Sequence, residues 1–275
     1  MEGKFRIGYF LNKFEMEFLP ITVKEVQSFF FIMIRISVIL FMFPFFNARV
    51  IPVLSKAGLA LMISIILFSV INHQMITFPD NLWGVVQFII TELIIGMILG
   101  LMVQLFFEGV KMMGQLVGFQ TGFAITNILD PQSGVQVSIF SNFAYLVTMT
   151  IFLVLNGHHI ALNAIKESFE IVNVGSLNLN RQIFQKMLFI SGDMFVIALK
   201  IGAPAIAALL FTKVAFALVT KLIPQMNIMI VAFPVQIVIG LIFFGITLNI
   251  LLRFVENYLG GMGVLLIDTM TGLKG

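Results

Sequence analysis

The alternation of long apolar runs with short polar interruptions constrains this chain most. An uninterrupted apolar stretch of about 18–25 residues crosses a bilayer as a helix. Candidates are Phe29 to Phe46, Ala57 to Ile71, Leu82 to Phe107, Ile139 to Leu155, Ile190 to Val219 and Ile228 to Leu252. The second is short, so it is expected to begin earlier or to fail to cross. Charged residues are 11% of the 275, against 60% hydrophobic, whereas a soluble domain carries about 25% charged residues. No period-two alternation suggests strands. The expected fold is therefore all-α, built from integral-membrane-type helical hairpins. Lysines and arginines are spread over both sets of connections, which leaves the orientation undetermined. Before Phe29, Lys13, Glu15, Glu17 and Lys24 interrupt any signal-peptide core, so the N-terminus is expected to stay on the mature chain.

The segment after the third run breaks this pattern. Gly114, Gly118 and Gly122 recur every four residues, so on a helix they line one face and admit another backbone. Gly96 and Gly100 form a second such pair. Gln115, Gln120, Thr121, Thr126 and Asn127 need polar partners, and Asp130-Pro131 stops a helix because the residue before proline is pushed out of the α region. Backbone of this kind is tolerated at membrane depth only inside protein or beside a water-filled path. The segment therefore reads as a part that lines or blocks a conduit.

Charges inside apolar runs need partners. Arg35 and Glu92 are candidates for pairing between helices. Asp193 and Lys200 are seven positions apart and share a helix face, too far apart for direct contact, so each is expected to meet another helix or subunit. The sharper reading, a proton relay or ion site, has few acids to support it, and structural ion pairs are favoured. His158 and His159 follow an Asn-Gly turn signal without further metal ligands at useful spacing, so a hydrogen-bonded structural pair at a helix start is expected. Lys166, Glu167 and Glu170 alternate with Ile165, Phe169, Ile171 and Val172 as in a short amphipathic helix, suited to a membrane surface or to packing in an assembly. Lys221 to Ile228, with Pro224, reads as a bend. Gly260, Gly261, Gly263 and Gly272 suggest a glycine-rich tail in which Asp268 is solvated.

Enzymatic chemistry finds no support. The sequence has no cysteine, and it contains no nucleophile elbow, zinc-protease helix or phosphate-binding loop. No cofactor is expected. A secondary transporter using Glu92, Asp193 and Lys200 is the rival class, but no matched interruption appears in two halves.

Several motifs in order carry a resemblance: Gly118-Phe119-Gln120-Thr121-Gly122-Phe123, Asp130-Pro131-Gln132-Ser133-Gly134, Asn156-Gly157-His158-His159, and Pro224-Gln225-Met226-Asn227-Ile228 with Phe233-Pro234. Together they resemble the FliR/SctT family of type III secretion export-gate subunits, over nearly the whole chain and with a more flagellar than injectisome pattern. The resemblance implies a pore assembled with FliP and FliQ, contacted by FlhB and FlhA, passing unfolded flagellar export substrates across the bacterial inner membrane at the flagellar basal body. It implies a FliP-like part over about residues 1–187 and a FliQ-like part over about 188–275. It also implies a pore plug over Gly118 to Gln132. The plug residues carried over are Gly118, Phe119, Gln120, Gly122, Phe123, Ile125, Ile128, Leu129, Asp130 and Pro131. At Ile125 and Ile128 some members of the family carry phenylalanine; isoleucine keeps the apolar character.

Overall fold

The computed structural model describes residues 22–44, 46, 51–71, 79, 81–122, 138–223, 225 and 228–274, and among these no strand is present. Among the described residues seven helices succeed one another: α1 (Val23–Met42), α2 (Val53–Val70), α3 (Leu82–Gln120), α4 (Ile139–Val154), α5 (Gly157–Ile171), α6 (Arg181–Leu222) and α7 (Ile228–Leu273). The expected all-α architecture is the one observed. Five of them are long and apolar enough to cross a membrane, or up to six spans if α4 and α5, bent by 69°, make one broken span.

Local signals explain most of the boundaries. Thr22 and Glu25 form a capping box at the start of α1, each side chain accepting from the other's backbone N–H. Asn81 and Asn180 cap α3 and α6 by accepting from the N–H of Gly84 and Ile183. The second apolar run does begin earlier than its hydrophobic window, at Val53, with Pro52 just outside.

Two windows end too soon in the sequence. α3 runs past Phe107 to Gln120 and α7 runs past Leu252 to Leu273, carrying the glycines of the expected tail inside a helix. Tertiary packing overrides the weak helix propensity of glycine in both places. Asp268 is accordingly not alone: it pairs with Lys186 near the start of α6, and Asn180 Nδ2 donates to the Gly272 carbonyl at 3.3 Å. These contacts join the beginning of α6 to the end of α7, so the two helices, α6 ending at Leu222 and α7 beginning at Ile228, form an antiparallel hairpin.

With 39, 42 and 46 residues, α3, α6 and α7 rise about 58–69 Å at ~1.5 Å per residue. A hydrocarbon core is about 30 Å thick. Helices of this length tilt strongly or project beyond it.

α3 is the spine. It packs against α1, α4, α6 and α7, and Ile95, Phe106, Phe107, Val110, Met113 and Val117 along it are fully enclosed or nearly so. Gly96 and Gly100 receive α1 as their spacing predicts: side chains there would meet Val38 Cβ at 2.9 Å and Met42 Cβ at 2.6 Å. Phe106 stacks on Tyr258 of α7 with ring centroids 3.8 Å apart. α5 turns Ala161, Ala164, Ile165 and Phe169 inward and packs on α4 and α7, leaving its Lys166–Glu170 pair, 3.6 Å apart, on the surface. Packing, rather than a free amphipathic surface, thus accounts for its apolar face.

Candidate functional site

Three arrangements hold the residues singled out from the sequence. The first joins α1, α3 and the end of α5. Arg35 donates through Nε to Glu92 Oε2 at 2.5 Å and through Nη2 to Oε1 at 3.0 Å. Its Nη1 donates to the Ser168 and Val172 carbonyls at 2.9 and 3.2 Å, and Phe169 lies under the guanidinium with 4.2 Å from Cζ to the ring centroid. The Gly175 N–H completes the shell, donating to Glu92 Oε1 at 2.9 Å. Both charged side chains are fully buried. A guanidinium and a carboxylate joined by two bonds, with Nη1 satisfied by carbonyls, is what makes burial of two charges tolerable. The node is a structural tie.

The second arrangement is a groove of about 480 Å³ between α3, α6 and α7, where Asp193 and Lys200 stand beside Phe106, Met194, Asn257 and Tyr258. No ion pair joins Asp193 or Lys200 to any described residue, and both are exposed on this chain. Glu92 does not line the groove. The three groups a transporter would couple are therefore not brought together.

The third arrangement surrounds the end of α3. At Gly114 a Cβ would collide with the backbone of Ser141, and at Gly118 with the Ser138 side chain, whose Oγ donates to the Gly114 carbonyl at 3.4 Å. The start of α4 thus lies directly on the last turns of α3. Ser141 Oγ reinforces this contact, donating to the Lys111 carbonyl at 2.9 Å. One step further the partner changes. Gly122 has φ +87°, the left-handed conformation that ends a helix without cost for a residue lacking Cβ, and Phe233 Cε2 of α7 would lie 2.6 Å from a Cβ there. Thr121 is fully buried, donates its hydroxyl to the Gly118 carbonyl at 2.9 Å, and presses its methyl onto Gly240 of α7. α7 reaches α4 as well, through Phe244 and Phe140, with centroids 4.9 Å apart.

The consequence is topological. Residue 122 and residue 138 are both fixed at one junction of α3, α4 and α7, so the chain between them leaves and returns at the same place. Phe119, 71% exposed, points away from the junction, and Gln120 is half-buried. The helix ends here, well before Asp130-Pro131, because a glycine in the left-handed conformation terminates it first. Phe123, Ile125, Ile128, Leu129, Asp130 and Pro131 lie outside the described residues.

The family of bacterial export proteins, family 1, matches residues 26–262. The chain belongs to this family. Among curated relatives, the flagellar biosynthetic protein FliR of Aquifex aeolicus (strain VF5) is 33% identical over 230 residues, covering 82% of this chain and 86% of its own. FliR of Bacillus subtilis (strain 168) is 29% identical over 249 residues, with 90% and 94% covered. FliR of Escherichia coli (strain K12) is 24% identical over 250 residues, again with 90% and 94% covered.

Some features of this export-family chain are not legible in its sequence. Gly240 and Ser138 carry no motif of their own; the signal for Gly240 was an isolated glycine inside a helical pattern, which usually has a packing reason. The histidines differ from expectation. His158 and His159 stand at the start of α5 with rings 4.3 Å apart at 76°, but His158 Nδ1 is buried without a hydrogen-bond partner. Its ring lines an apolar cavity with Leu40, Phe43, Leu59 and Ile165. Among the described residues, no group of three or more His, Asp or Glu side chains is placed to hold a metal ion.

Proposed function

We propose that this chain is a structural and gating subunit of the flagellar type III export gate, in the bacterial inner membrane at the flagellar basal body. With FliP and FliQ it forms a protein-conducting pore, FlhB and FlhA contact that pore, and unfolded flagellar substrates pass through it. The segment from Gly118 to Gln132 is its plug.

The observation that carries this reading is the common origin of both ends of residues 123–137 on the packed junction of α3, α4 and α7. A plug needs a fixed base and a loop that can be displaced without unfolding that base. Apolar residues in the loop seal by excluding water, as hydrophobic constrictions do. A gap of a few kcal/mol between sealed and open states keeps the open form rare but reachable. Asp193 and Lys200, without an ion pair to any described residue, and the exposed apolar residues Phe184, Phe189, Phe211 and Ile230 along α6 and α7, support assembly with neighbouring subunits. The family picture divides the chain into a FliP-like part to about residue 187 and a FliQ-like part beyond it. The hairpin of α6 and α7 is the FliQ-like part under this reading. The chain acts as conduit and gate rather than as an enzyme, and motor and proton coupling belong to partners.

The test is ion conductance of the assembled gate after deletion of residues 123–132, which spares the helix and the junction. A leak is expected. Conductance equal to that of the unaltered assembly sinks the plug assignment.

A further inference from the structure

We propose that Phe233 and Gly240 of α7 form a socket that positions the end of α3, so that α7 sets where the chain emerges after residue 122. This rests on the plug reading for its consequence in export, and it names the element that controls the plug's base.

The socket has a knob and two walls. The knob is Thr121, fully buried and held in one orientation by its hydroxyl bond to the Gly118 carbonyl at 2.9 Å. Its methyl occupies the notch that Gly240 leaves open: a Cβ on Gly240 would collide with Thr121 Cγ2 and would also meet Leu209 Cδ2 of α6 at 3.7 Å. The second wall is the Phe233 ring over Gly122. Gly240 is itself buried, and Leu209 is fully enclosed, so the notch cannot widen toward α6. A close-packed contact of this kind has discrete arrangements rather than a continuous range. If α7 shifts along or away from α3, Thr121 leaves the notch and the left-handed turn at Gly122 loses its ring. Movement of the last hairpin thereby becomes movement of the base from which the plug departs.

Gly240→Ala separates this role from a general structural one. Alanine is a better helix former than glycine, so loosening after this change points to the notch and not to α7. Thr121→Ser removes the methyl and keeps the hydroxyl. Combined with Gly240→Ala, it lets the new Cβ occupy the vacated space.

Because the chain has no cysteine, Gln120→Cys provides a reporter at the last residue of α3. Its rate of maleimide labelling would be measured in the assembled gate with each variant. Gly240→Ala is expected to label about tenfold faster, as a tenfold population shift would give. Thr121→Ser alone should label faster by a smaller factor, and the double variant should return to the parental rate, a non-additivity expected only of residues in contact. A parental rate in both single variants overturns the socket, and so does equal acceleration in the double variant. If Gly240→Ala blocks assembly, Thr121→Ser must restore it, and failure to do so is equally fatal.

Conductance of the same variants separates the two readings. Labelling that rises and is rescued without any leak upholds the socket and counts against the seal. A leak in Gly240→Ala that the double variant closes supports both.

Discussion

Two regions with similar apolar composition treat their charges in opposite ways. Around Arg35 and Glu92, α1, α3 and the end of α5 enclose one cation and one anion and add two carbonyls, a ring and an N–H to their mutual bonds. On the hairpin of α6 and α7, Asp193, Lys200, Lys213, Arg253 and Glu256 stand exposed among apolar residues without an ion pair to any described residue. The first region is complete by itself. The second pairs Asp268 with Lys186 where the hairpin closes but leaves these five charges without such a partner among the described residues, as a surface open to a protein neighbour would.

The sharpest way to break this contrast is at the buried pair. Arg35→Met leaves Glu92 enclosed and unpaired, and loss of one partner of a buried pair costs about 3–5 kcal/mol. Thermal unfolding of the detergent-solubilised chain should show that loss, and Arg35→Met with Glu92→Met should recover most of it. A single variant as stable as the parent would mean that the node is not the tie described here.

A smaller effect is expected where the hairpin closes on itself. Asp268 pairs with Lys186 but its side chain is 70% exposed, and exposed pairs contribute about 0–1 kcal/mol. Asp268→Asn should therefore shift unfolding slightly, and less at high salt. A large, salt-independent loss would place this contact in the class of the Arg35 node.

The smallest change in fold stability is expected at Lys200→Met, within about 0.5 kcal/mol as for a surface site without partners. Its effect should appear instead in assembly, as reduced recovery of the complex on copurification with partner subunits. If the isolated chain is strongly destabilised, the lysine is already satisfied within this chain and the contrast fails.

Hydropathy alone separated the spans and gave the all-α class, because a bilayer demands internally satisfied backbone and long apolar helices provide it. Spacing alone showed that Gly96 and Gly100 admit a neighbour, since residues four apart share a helix face. The sequence also marked Arg35 and Glu92 as needing partners. It did not show that they would find each other, because pairing over 57 positions depends on how α1 and α3 cross.

Tertiary structure decided the remainder. Helices carried through Gly114 and Gly272 because neighbouring elements fill the space that glycine leaves, a term no local propensity contains. The face of Gly114, Gly118 and Gly122 was legible, but not its division between α4 and α7. Nor was Gly240 legible as the notch for Thr121, since complementarity between two residues so distant in sequence exists only once three helices have packed.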